Sequence, residues 1–309
     1  MALRLWPIVL AAGSGRRLER VTGGVPKQFW APPGHLSLLE QTISRVAPLA
    51  DPSQRITIVD QSHLTYVAGI ERRTELGRLI YQPRDCGTAA GVLLPAMMVA
   101  MHDPDAVVLL APSDHGVVRP DEFRAGVAAS KAHVESHADA VVLHGVEPHA
   151  AVVDLGWIVP AGQCRKTPAP VVTFIEKPTM AVAERLFEEG AVWNTMVLVT
   201  RVSTLLNLYR RHLPDLIAPF EALRFRSPEQ RDAAVTRVYQ HLPPTDFSRD
   251  LIGRASGLHV STWGASMGWT DLGTPERLAA WLGQTSEAEH TAWREVVAVR
   301  QLVADAAAP

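Results

Sequence analysis

Five short apolar runs punctuate the first 145 residues, at 6–10, 56–60, 79–81, 106–110 and 138–143, and helix-like segments fall between them around 38–46, 88–101 and 122–137. Runs this short, bounded by glycine, proline or charge, read as buried strands. Strands alternating with helices build crossover units, which demand a mostly parallel sheet covered by helices: an α/β, Rossmann-like architecture. Ligands of such sheets sit at the carboxyl ends of the strands. Two segments fall at such ends, Gly13-Ser14-Gly15-Arg16-Arg17 after the first run and Asp114 after the fourth. Chain order alone therefore predicts a basic loop and a carboxylate on one rim.

A glycine-rich turn after a strand lets backbone N–H groups approach an anion closely. Arg16 and Arg17, with Lys27 ten residues beyond in Pro26-Lys27-Gln28-Phe29, then imply a polyphosphate. A dinucleotide fingerprint needs glycine where Leu18 stands and a Walker A loop needs Gly-Lys-Ser/Thr, so neither motif fits. With 309 residues, 20% of them charged, and a net charge of −2, the basic character is local, which argues against a nucleic-acid partner. The two cysteines, Cys86 and Cys164, rule out a disulfide framework or cysteine-rich zinc site and suit a reducing cytoplasm. No apolar stretch reaches the roughly 18 residues a membrane helix needs, so a soluble, non-exported protein is expected.

Beyond residue 145 the rhythm changes. Segments 151–159, 171–176, 196–200 and 258–263 read as strands, 180–189, 202–213 and 229–239 as helices, and Pro243-Pro244 as a loop. This half reads as an extension of the same sheet. From Pro275 the chain is helix-like, and in the tail 283–309 Trp293, Val296, Val297, Val299, Leu302 and Val303 approximate one face, which packs on the core or offers a homodimer contact.

Leu10-Ala11-Ala12-Gly13-Ser14-Gly15-Arg16-Arg17-Leu18 and Pro26-Lys27-Gln28-Phe29 together resemble the opening signature of the sugar-1-phosphate nucleotidyltransferases, most closely the mannose-1-phosphate guanylyltransferases. Ala111-Pro112-Ser113-Asp114-His115 is similar to the family's metal motif, and Phe174-Ile175-Glu176-Lys177-Pro178 to its sugar-phosphate motif. Trp193-Asn194 and Gly268-Trp269-Thr270-Asp271-Leu272-Gly273 are similar to its sugar-contacting and second-metal motifs. The resemblance implies a nucleotide-diphospho-sugar transferase fold over 1–282, with a nucleotide half (1–145) and a sugar-phosphate half (146–282). It also implies transfer of a nucleotide from an NTP, GTP above all, to a sugar-1-phosphate, mannose-1-phosphate above all.

The implied roles follow residue by residue. Asp114 and Asp271 would hold Mg2+, a hard cation that takes one or two carboxylates plus substrate phosphates. Arg17 would clamp the departing phosphates, Lys27 would neutralise charge at the α-phosphate and Lys177 would hold the sugar phosphate. Ala11, Ala12, Gly13, Ser14, Gly15, Arg16, Gln82, Gly87 and Thr88 would surround the nucleotide, and Gly145, Gly156, Glu176 and Asn194 the sugar. Only these small molecules are expected as partners, with no nucleic acid and no membrane, in the cytoplasm.

Two departures bear on specificity. Cys86-Gly87 stand where the guanylyltransferases carry Arg-Asn, and Gln82-Pro83 resembles the thymidylyltransferases instead; Thr195-Met196 stand where the family has Ser-Gly. A methionine there narrows the sugar pocket or alters its preference. Thymidylyl or adenylyl transfer to another hexose phosphate, or a silent nucleotide-sugar-binding regulator, are the alternative readings. No β-helix repeat or cupin-like extension follows residue 280, as expected of a minimal core. His133 and His137 have a zinc-compatible helical spacing but suggest no third ligand, and no nucleophile elbow is present.

Overall fold

A computed structural model describes residues 3–15, 18–32, 34–70, 73–162 and 167–285. Arg16, Arg17, Cys164 and the apolar tail positions from Trp293 to Val303 lie outside the described residues.

Nine strands form one sheet: β1 (Leu5–Ala11), β2 (Ile56–Asp60), β3 (Arg78–Gln82), β4 (Val107–Pro112), β5 (Val141–Val146), β6 (Gly156–Pro160), β7 (Ala169–Glu176), β8 (Val192–Arg201) and β9 (Leu258–Trp263). Their order is β3-β2-β1-β4-β8-β5-β9-β7-β6, with β6 also paired to β8. From β3 to β4 every pairing is parallel. Beyond β4 the sheet is mixed: β8 runs antiparallel to β4, β5 and β6, while β5 and β9 are parallel. The parallel pattern lasts as long as each strand is followed by a crossover helix; β6 and β7 follow one another without one and pair antiparallel.

The sheet is buried on both faces, as its unbroken apolar strands require. Ile8, Ile58 and Leu110 face the helices Thr88–His102 and Val202–His212. Their strand neighbours Val9, Val59 and Leu109 point the other way, onto Leu38–Val46 and Pro120–Ser136. The Leu38–Val46 helix starts with a capping box, in which Ser37 accepts from Glu40 N and the Glu40 carboxylate accepts from Ser37 N.

Several bounds shift from the sequence reading. β8 begins at Val192, four residues before the expected 196, because Trp193 and Val192 already pair with Trp157 and Ile158. β6 begins only at Gly156, since Asp154 is held off the sheet by Arg277. A helix at Pro214–Glu221, with Pro219 inside it, and a π-helical turn at Phe247–Leu251 were not expected. No described helix is long and apolar enough to cross a membrane.

Candidate active site

Adjacent parallel strands β1 and β4 end side by side, and Ser113 ties them by donating from N (3.1 Å) and Oγ (2.7 Å) to Leu10 O. The glycine loop leaves β1 here. Gln28, itself buried, donates from Nε2 to Ala11 O and Gly13 O, both at 2.9 Å, and so holds the loop backbone from beneath. Gly15 adopts φ +62° against Lys27, where a Cβ would come within 2.7 Å of Lys27 N.

Lys27 opens a short 3-10 turn after Pro26 and is only 5% exposed. Its ammonium donates to Asp114 Oδ2 (3.0 Å) and to the backbone carbonyl of Asp271. Residues 87 and 244 positions away in the chain therefore meet on one cation. The two aspartate loops are also zipped together by reciprocal hydrogen bonds between Gly116 and Thr270. Asp271 accepts from Gly273 N (3.1 Å) and Arg277 (3.0 Å), both on Oδ1, and Arg277 forms a bidentate pair with Asp154 at 2.7 and 2.8 Å.

Burial disfavours the charge on Asp114, but the Lys27 ammonium, His115 and the hydrogen bond from Lys27 outweigh it and hold the carboxyl below its ordinary value. His115 sits edge-on to Trp269 at 5.3 Å, and burial drives its pKa down to about 4, so the ring is neutral near pH 7. Its Nε2 is 3.8 Å from Asp114 Oδ1, beyond hydrogen bonding.

Two clefts meet at Asp114. A larger one, of about 490 Å³, is bordered by Gly13, Gly15, Gln82, Gly87, Thr88 and Asp114. A smaller one, of about 230 Å³, is bordered by Gly156, Glu176, Lys177, Asn194, Asp114 and Asp271. Thr88, Asp114, His115, Met196 and Asp246 border both. In the smaller cleft Lys177, with φ 49°, donates to Glu176 Oε1 at 2.7 Å, and Asn194 Oδ1 accepts from Met196 N at 3.1 Å. A Cβ on Gly156 would strike Glu176 Oε2 at 2.6 Å.

The family model for nucleotidyl transferases matches residues 6–286. The chain belongs to that family. Mannose-1-phosphate guanylyltransferase of Escherichia coli (strain K12) is 28% identical over 285 residues, covering 88% of this chain and 58% of the relative. The enzyme of the same name from Sinorhizobium fredii (strain NBRC 101917 / NGR234) is 25% identical, covering 94% and 57%. The chain thus spans less than two thirds of the length of these curated relatives. Among solved structures, mannose-1-phosphate geranyltransferase from Thermus thermophilus superposes with a TM-score of 0.78 at 26% identity, over 91% of this chain and 79% of the other. Inositol-1-phosphate CTP transferase from T. maritima shares the fold at a TM-score of 0.56 and 15% identity.

In this nucleotidyl transferase, Asp114, Asp271, Lys177, Glu176, Asn194 and Gly156 border the smaller cleft, and Ala12, Gly13, Gly15, Gln82, Gly87 and Thr88 the larger one, while Lys27 borders neither and is buried behind Asp114 and the Asp271 loop. Ala11 is buried at the end of β1 with its carbonyl on Gln28, and Ser14 borders a neighbouring groove with Asp60 and His63. Gly145 borders neither cleft; it packs β5 on β8, where a Cβ would meet Val192 Cγ2 at 2.3 Å. Gln28, Asp85, Asp154, Asp246 and Arg277 were not singled out from sequence. Of these only Gln28 carried a signal, its place inside the Pro-Lys-Gln-Phe motif.

Magnesium fits the two carboxylates. Among the described residues no three His, Cys, Asp or Glu are disposed to hold a metal, but this ion takes as few as one or two carboxylates and completes its shell with water and substrate phosphates. Asp271 Oδ2 accepts no hydrogen bond among the described residues, and Asp114 is 38% exposed to the cleft. His133 and His137 stack at 4.2 Å and His259 joins them at 5.0 Å, on the far end of the Pro120–Ser136 helix from Asp114.

Proposed function

We propose that this chain joins a sugar-1-phosphate to a nucleoside triphosphate, releasing a nucleotide-sugar and pyrophosphate, with Mg2+, and that mannose-1-phosphate and GTP are the pair. The observation that carries the reading is Lys27, a buried cation holding Asp114 and the Asp271 loop where the two clefts join. The likeness to mannose-1-phosphate guanylyltransferases over 88–94% of this chain supports the substrate pair.

A phosphate monoester has its second pKa near 6 and is largely dianionic at neutral pH, so a sugar-1-phosphate oxygen needs no protein base before attacking the α-phosphorus. What the protein supplies is alignment and charge. Lys177 beside Glu176 suits the sugar phosphate and a sugar hydroxyl; Asn194, its Oδ1 already occupied by Met196 N, offers Nδ2 as a donor. Lys27 neutralises charge developing at the α-phosphate, and Arg17 takes the departing pyrophosphate. Asp114 and Asp271 would hold magnesium, which would supply Lewis-acid neutralisation of the triphosphate charge.

Base choice is supported by two acceptors. Gln82 gives its amide N–H to Asp60 Oδ2, which leaves Oε1 buried without a partner at the edge of the larger cleft. The Asp85 carboxylate borders the same cleft. Guanine displays adjacent N1–H and N2–H2 donors on one edge, and the buried Gln82 Oε1 discriminates against a base that leaves it unpaired, while the exposed Asp85, whose Oδ1 already accepts from Gly87 N, offers a second acceptor.

The test is a pyrophosphate-release panel of four nucleoside triphosphates against mannose-1-phosphate and glucose-1-phosphate, with and without magnesium. Release is expected to be fastest with GTP, mannose-1-phosphate and metal. Turnover confined to dTTP or ATP would move the reading to thymidylyl or adenylyl transfer, and no release from any combination would leave a silent nucleotide-sugar binder.

A further inference from the structure

Three non-glycine residues among those described have positive φ: Lys177, Leu272 and Met196. Met196, at φ 60°, is the one inside a strand, the fifth residue of β8. The left-handed region crowds a Cβ against the following carbonyl, and glycine adopts it freely. The backbone N–H at this point is employed: Met196 N donates to Asn194 Oδ1 at 3.1 Å. Glycine would keep that bond without the crowding, so the side chain is what the strained conformation retains. Strain of this sort persists where surrounding structure over-determines it, and it gathers at functional sites.

The side chain borders both clefts. Its Sδ accepts from Ser248 Oγ at 2.9 Å, which anchors it to the π-helical turn Phe247–Leu251 on the opposite wall. A thioether is a weak acceptor at best, and with sulfur turned to Ser248 it has no strong polar group to offer a ligand. In a cleft that Glu176, Lys177 and Asn194 also border, Met196 therefore acts as apolar bulk, placed where the two clefts meet.

We propose that Met196 is a specificity-determining residue: its side chain partitions the nucleotide cleft from the sugar cleft and sets, by exclusion, how bulky a sugar-1-phosphate the smaller cleft admits. This inference rests on the reading of the smaller cleft as the sugar-phosphate site. Room for a single methylene is worth about 10–200-fold in discrimination, so removing the whole side chain reaches at least the lower end of that range.

The experiment compares wild type with Met196→Gly and Met196→Ala, using mannose-1-phosphate and hexose-1-phosphates enlarged at C2, C4 or C6. The ratio of kcat/KM for an enlarged substrate to that for the parent should rise at least tenfold in both variants for at least one position of enlargement. Both variants lose the packing of the side chain, but only glycine relieves the backbone, so Met196→Gly should melt no lower than Met196→Ala. Ratios within twofold of wild type across the whole panel in both variants would overturn the proposal. Calorimetric titration of the same sugar phosphates separates the two readings. Binding ratios that shift in a protein releasing no pyrophosphate would retire the enzymatic reading and keep the partition; unshifted ratios would retire the partition alone.

Discussion

Replacing Lys27 by methionine removes a charge while keeping most of the stem, and the structure sets different sizes for its two consequences. For stability, the Asp271 carbonyl loses its donor, an unsatisfied buried acceptor that costs about 1–3 kcal/mol. The Asp114 carboxylate loses its partner at 3.0 Å, but with 38% of its side chain exposed it can rehydrate, so the pair adds only about 0–1 kcal/mol. A loss of about 1–4 kcal/mol lowers the melting temperature by several degrees and leaves the protein folded at 25 °C. For catalysis, with Lys27 in the role proposed for it, deleting a preorganised charge costs about 10²–10³ in kcat.

The assay is therefore kcat for pyrophosphate release at 25 °C beside a thermal melt. In wild type the depressed Asp114 pKa contributes stability that is present above the carboxyl's unfolded value and lost as pH falls through the folded one. Without the ammonium the largest lowering influence on that pKa is lost, so the variant should be penalised more at pH 7.5 than at pH 3. A variant with kcat within threefold of wild type, however unstable, would show Lys27 to be a tie between loops and not part of the chemistry.

Three further outcomes follow from the same geometry. Asp114→Asn should lose about three orders of magnitude or more in turnover while staying folded, and chelation should do the same without moving the melting point, since Lys27 and Arg277 already neutralise the two aspartates; activity surviving either treatment would remove the metal role. Gly15→Ala would place a methyl 2.7 Å from Lys27 N at φ +62°, so it should depress kcat by displacing Lys27, and normal kinetics would deny that coupling. His144, fully buried and stacked on Trp263 at 4.2 Å, is held neutral down to about pH 3. Because its unfolded form takes up a proton near 6.5, stability is complete above that pH and about 2 kcal/mol is lost from this residue by pH 5. Denaturant melts should show that slope flattened in His144→Gln.

Local chemistry made some elements legible and hid others. β2 and β9 fall on the expected residues because each is a short β-prone segment closed by polar or turn residues, Arg55 and Gln61 around the apolar β2 and Gly257 and Gly264 around the mixed β9. β8 was read four residues short because Trp193-Asn194 carried a site motif and Met196 interrupts the strand with a conformation that residue type does not announce. The Phe247–Leu251 turn follows Pro243-Pro244, which signals a loop, and beside the local bond from Asp246 N to Asp250 it is held by a contact no local window contains, Thr88 Oγ1 accepting from Phe247 N. Arg277 and Asp154 are likewise ordinary surface types in sequence; 123 positions apart, they become part of the site only through their ion pair.

Alternation of strand and helix predicts that strands are parallel, but it says nothing of which are neighbours. The order does that. From β1 the chain moves outward through β2 to β3 and then returns to place β4 on the other flank of β1. Reversal of this kind opens a crevice beyond the strand ends, since the connection from β1 runs towards β2 and the one from β4 runs the opposite way, towards β5. The glycine loop leaves β1 on one lip and Asp114 leaves β4 on the other, and Lys27 closes the gap with a 3.0 Å bond to Asp114. Asp271 has no such strand to carry it; it arrives because Thr270 pairs with Gly116, two residues past Asp114. That bridge is the step by which the second half of the chain completes a site begun by the first.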